Sequence, residues 1–146
     1  LAMSGEEEQL ANFTVAIRNP DRTSTTIEFW RNYVNTAATN VVIEDGGQAY
    51  RKVLESYRDT LAVSSALARI GRDYRSLLAE FLEQDVALAD ATERKEIARL
   101  IAITLWGANE HVVSNHRRKA EFDLVQEAVA IIDRVESLYS HILKPL

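Results

Sequence analysis

Residues 48–86 read QAYRKVLESYRDTLAVSSALARIGRDYRSLLAEFLEQDV, a stretch with no proline and a single glycine, Gly71. Tyr50, Leu54, Tyr57, Leu61, Leu67, Ile70, Tyr74, Leu77 and Phe81 recur along it at spacings close to one helical face. The stripe lapses only at Ser64-Ser65. The pattern predicts one helix over about 48–87, far longer than the usual ~11–12 residues. Such a helix cannot be wrapped by a small core and needs a long partner beside it. Gly71 reads as either a kink or a place where another helix comes close. Ala62, Ser64, Ser65, Ala66 and Ala68 are small enough to let two helices approach.

The partner helix follows at once. Asp90 and Glu93 have the spacing of a capping box, and Ile97, Leu100, Ile101, Leu105, Ala108 and Val112 form the next stripe. Ser114-Asn115-His116-Arg117-Arg118-Lys119 interrupts it. The stripe resumes with Phe122, Val125, Ala128, Val129, Ile132, Val135, Leu138, Tyr139 and Ile142, and Pro145 closes the chain. No proline or glycine lies between Ala108 and Leu143. The expectation is therefore one helix over 92–143, continuous through the polar run; the alternative is a turn at 114–118 that divides it.

Two shorter helices precede this hairpin. Ser4 with Glu7 fits a capping box, Leu10, Phe13 and Ile17 give a thin stripe, and Asn19-Pro20 ends a helix of about 5–18. Thr25 with Glu28 repeats the cap, and Ile27, Trp30, Val34, Ala37 and Val41 mark a second helix that Asp45-Gly46-Gly47 terminates. The fold expected is all-α: an elongated up-and-down helical bundle dominated by a long helical hairpin, 48–87 against 92–143, with two shorter N-terminal helices. One domain spans 1–146, with residues 1–4 a tag remnant or unstructured end. Two helices of that length leave apolar seam that the short ones cannot cover, so a homodimer or another protein partner is expected.

Composition narrows the function classes. The chain has 146 residues, no cysteine, five glycines, two prolines and a net charge of −5. Absent cysteine excludes disulfide scaffolds, thiolate metal sites and cysteine nucleophiles. The acidic balance argues against a dedicated nucleic-acid binder. No run approaches the ~20 apolar residues of a membrane span, and no signal-peptide pattern opens the chain, so a cytoplasmic location is the expectation.

Four constellations could carry chemistry. His116, Arg117, Arg118 and Lys119 are adjacent donors able to hold an anion or an acidic partner, with a solvated helix face or bundle end as the ordinary account. Glu110, His111 and His116 lack the i, i+3 or i+4 spacing of a helical metal site, so no metal and no cofactor is expected. Trp30, Tyr57, Tyr74 and Trp106 could line an interhelical ligand pocket, with core packing as the ordinary account. The chain has no phosphate-cradling glycine loop and no histidine placed for a haem globin.

Arg134 and His141 are separated by six residues near the C-terminus. The pair is similar to the Arg-x4–6-His motif of HEPN-type helical ribonucleases, which act as dimers around paired motifs. That resemblance implies RNA cleavage by Arg134 and His141. It departs from the family at Val135, where a polar residue usually follows the arginine, and a helix C-terminal charge accounts for His141 as well. The sequence as a whole favours a non-catalytic module acting through helix–helix association, as an oligomerising, scaffold or sensory domain. A ligand-sensing bundle and a HEPN-like ribonuclease are the alternatives.

Overall fold

The computed structural model describes residues 4–43, 61–118 and 123–145. Among them are five α-helices: α1 (Ser4–Ile17), α2 (Thr26–Ile43), α3 (Leu61–Asp85), α4 (Ala91–Arg118) and α5 (Leu124–Tyr139). A 3-10 turn, Ser140–Ile142, follows α5. The all-α bundle that the periodicity demands is what forms, and no described segment makes more than the single bridge Val86–Leu143. The expected helical residues 48–60, Tyr57 among them, lie outside the described residues.

The helices begin where local chemistry satisfies their first amides. Thr25 Oγ1 accepts the Glu28 N–H at 3.2 Å and Asp90 Oδ1 accepts the Glu93 N–H at 2.9 Å, as the capping spacings require. At α2 a distant residue adds to this: Asp85 Oδ2, from the end of α3, accepts the Thr26 N–H at 2.8 Å. Asn19 Oδ1 turns the chain after α1 by accepting the Asp21 N–H at 3.0 Å.

α3 and α4 form the central antiparallel hairpin. Its turn is fastened by Arg94, whose guanidinium donates to Leu88 O at 2.8 Å and Ala89 O at 2.7 Å. Gly71 resolves as a close approach. A Cβ there would sit 3.0 Å from the Trp106 ring on α4.

One expectation fails. Residues 92–143 are two helices, and the division falls later than the turn considered at 114–118, which is helical to Arg118. Asp123 adopts an extended backbone (φ −79, ψ 94) and its side chain accepts the Gln126 N–H at 3.1 Å. An aspartate N-cap starts a new helix, and its geometry is incompatible with continuing the old one. α5 then folds back to lie against both α4 and α2. Arg31 of α2 ties this layer together, donating to Asp133 at 2.8 Å and Glu136 at 2.7 Å. α1 lies over α3 through Arg69–Glu7 and Arg18–Glu80 ion pairs.

The core runs through the contact of all five helices, with Phe13, Trp30, Leu78, Leu105 and Ile132 almost fully buried. Its lower end is closed by the tail. Ala87 donates to Ile142 O at 2.7 Å and Lys144 to Asp85 O at 2.8 Å, so Asp85 joins the end of α3 to both α2 and the C-terminus.

Candidate interaction surface

α4 turns Ala98, Ile101, Ala102 and Leu105 inward, each with 1 % exposure or less. With 100° between successive helical residues, the opposite face carries Glu96, Leu100, Ile103, Gly107 and Glu110, stacked in steps of three and four. Leu100 is 51 % exposed and Ile103 55 %. Gly107 is open: a Cβ there would meet nothing within 4 Å among the described residues. The result is an apolar strip on the outside of the longest described helix, with acidic residues at both ends.

A further exposed apolar residue lies on neighbouring α5. Thr104 Oγ1 donates to Leu100 O at 2.7 Å and lies 3.2 Å from the Tyr139 hydroxyl, which brings the end of α5 beside the middle of α4. Leu138 is 68 % exposed and falls on the flank of α5 opposite Glu136, the residue that meets α2. Leu100 and Leu138, both assigned to inward stripes by their spacing, therefore face solvent. A sequence signal existed: Leu100-Ile101-Ala102-Ile103 is apolar at four consecutive positions, which sweep most of a helical circumference, so part of the run must point away from the core.

The aromatic residues gather at the centre of the bundle. Trp30, Tyr74 and Trp106 do come together, with ring centroids 6.1 Å (Trp30–Tyr74), 6.1 Å (Trp30–Trp106) and 5.2 Å (Tyr74–Trp106) apart. They pack on one another and on Phe13, whose centroid is 4.9 Å from Tyr74. The Tyr33 and Tyr74 hydroxyls share a hydrogen bond of 2.8 Å. Burial raises both phenols above their ordinary range; for Tyr33 the nearby Glu6 charge adds to this, and burial also raises the Glu6 carboxyl. Trp106 Nε1 donates to Glu110 Oε1 at 2.6 Å, whereas Trp30 Nε1 and Thr26 Oγ1 are buried without a partner among the described residues. An open groove of about 560 Å³, not foreseen from the sequence, lies at the tail end between Glu80, Glu83, Leu88, Arg94 and Lys144.

The remaining candidates are dispersed. His116, Arg117 and Arg118 belong to the last turn of α4, but their side chains and Lys119 lie outside the described residues. Glu110 and His111 serve different partners, Trp106 and Asn115. Among the described residues no three His, Asp or Glu converge as metal ligands. Arg134 and His141 are exposed, but the helix ends at Tyr139, so the seven-residue step between them runs into a 3-10 turn and loses its α-helical alignment. Val135, the departure from the HEPN pattern, is a core residue at 3 % exposure. Among the described residues no helix is long and apolar enough to cross a membrane. Neither protein-family models, nor curated proteins, nor solved structures match this chain.

Proposed function

We propose that the chain is a non-catalytic helix–helix association module, an oligomerising or scaffold domain that works through the outer face of α4. The observation that carries this is the strip of Leu100, Ile103 and Gly107, with Leu138 also exposed on neighbouring α5. Scattered exposed leucines need no explanation, but a contiguous apolar strip does. Fully burying a Leu or Ile is worth about 1.5–3 kcal/mol. Scaled by exposures of 51 %, 55 % and 68 %, covering Leu100, Ile103 and Leu138 contributes roughly 3–5 kcal/mol.

Gly107 supplies the second half of the case. A glycine inside a helix costs about 1 kcal/mol relative to alanine, and none of the described residues takes up the space it leaves. Gly71 shows the contrast, because there Trp106 fills that space. An open glycine beside two exposed apolar side chains suits a second helix approaching closely.

A photo-crosslinking residue at position 103, compared with one at exposed Arg134, tests the role in cells producing the chain. Covalent adducts confined to position 103 are expected. Equal labelling at both positions, or none at 103, refutes this surface as the site of association.

A further inference from the structure

Building on the association role proposed above, we infer that the partner is a second copy of this chain, docked α4 against α4 in antiparallel orientation about a two-fold axis near Ile103-Thr104. The strip is self-complementary in that direction. With the axis there, Leu100 of each copy lies opposite Gly107 of the other, the large side chain over the open glycine, and this happens twice. Ile103 meets the Ile103-Thr104 step of the second copy at the centre. Both copies bring apolar surface, so the contact covers twice what either strip would cover against a polar partner.

Charge selects the same direction. Glu96, Arg99, Glu110 and His111 are exposed around the strip. In an antiparallel pair Arg99, on one flank, comes alongside Glu110 of the second copy, and Glu96 faces His111, each arrangement occurring twice by symmetry. A parallel pair would set Glu96 against Glu96, Arg99 against Arg99 and Glu110 against Glu110. Such like-charge rows disfavour that alternative. Leu138 lies on the α5 side of the strip in both copies, so the two-fold axis brings these residues to one flank of the contact.

The absence of cysteine from the chain makes the geometry directly readable by introduced thiols. Light scattering on the purified chain should give twice 16.5 kDa at high concentration. Leu100→Glu with Ile103→Glu should weaken that dimer by about 100-fold or more, because buried charges would face each other, while helix content is unchanged. An equimolar mixture of Leu100→Cys and Gly107→Cys proteins should form mixed disulfide dimers on mild oxidation. Neither protein alone should, because like positions sit about 10 Å apart along the axis at 1.5 Å per residue. Same-residue disulfides overturn the antiparallel arrangement, and a dimer untouched by the double Glu variant overturns both this inference and the proposed surface. A purified chain that is monomeric at several hundred micromolar overturns the second copy as partner. In that case an in-cell adduct at position 103 of a mass other than two chains leaves α4 as a docking face for a different protein, and no adduct overturns that role too.

Discussion

Replacing Gly71 with alanine sets two effects of known size against each other. In a helix interior the change should gain about 1 kcal/mol from backbone propensity. The new methyl would sit 3.0 Å from the Trp106 ring carbon Cζ2, and 3.1 Å from both Cε2 and Nε1. That indole has little room to move. Its nitrogen is held by Glu110 at 2.6 Å, one face stacks on Tyr74 at 5.2 Å, and Trp30 lies 6.1 Å away. Overpacking a filled core costs about 1–3 kcal/mol, and a clamped aromatic neighbour places this site in the upper half of that range. The net expectation is a loss of about 1–2 kcal/mol, a fall in melting temperature of roughly 2–8 °C. Urea unfolding followed by circular dichroism measures it. The sharper test adds Trp106→Leu, which frees the space. In that background Gly71→Ala should become stabilising by about 0.5–1 kcal/mol, so the cycle should show a coupling near 2 kcal/mol. A stabilising Gly71→Ala in the unaltered chain, or a coupling near zero, would refute close helix approach as the reason for this glycine.

Three other outcomes are expected. Asp85→Ala should cost about 1–2 kcal/mol by leaving the Thr26 amide without its 2.8 Å acceptor, and Asp85→Asn, which keeps an acceptor oxygen, should cost clearly less; equal unfolding midpoints would contradict the cap. Tyr74→Phe should cost about 1–2 kcal/mol because it strands the Tyr33 hydroxyl, and the double Tyr33→Phe, Tyr74→Phe chain should lose less than the sum of the single changes. Because both phenols are raised, the folded chain keeps protons that the unfolded chain releases above about pH 10, so stability is full below that pH and falls as pH rises beyond it. Urea midpoints between pH 8 and pH 11 should show that decline, and Tyr74→Phe should flatten it; an identical slope in the variant would remove this pair as the cause.

The helical periods carried most of the fold because inward positions recur every three or four residues along each helix, and Phe13, Ile17, Trp30 and Ile70 are buried where their spacing puts them. The capping residues Thr25 and Asp90 were equally legible, since their bonds are local. The break before α5 was harder to see. An apolar stripe that resumes in phase looks the same whether the helix continues or folds back, and no proline or glycine marks the division. Asp123 with Gln126 was the available signal, a cap of the same kind as Asp90 with Glu93. The surface was hidden for a separate reason: Leu100 follows Ile97 and Leu138 follows Val135 at helical spacing, so each reads as part of an inward stripe, although buried Ile101, Ala102 and Leu105 put Leu100 on the far side of α4. Long-range contacts such as Asp85 to Thr26, 59 residues apart, leave no periodic trace at all.

The packing of Trp30 on Trp106 has a practical consequence. Indoles with centroids 6.1 Å apart and planes inclined by 41° couple their electronic transitions, so the native chain should show a characteristic near-ultraviolet dichroism that neither indole gives alone. One ring comes from α2 and the other from α4, each beside Tyr74 of α3. The signal therefore reports the docking of three helices rather than the winding of any one. Followed during unfolding beside the far-ultraviolet band, it would separate loss of tertiary packing from loss of helix without any attached label. Coincident curves would identify the bundle as a single cooperative unit.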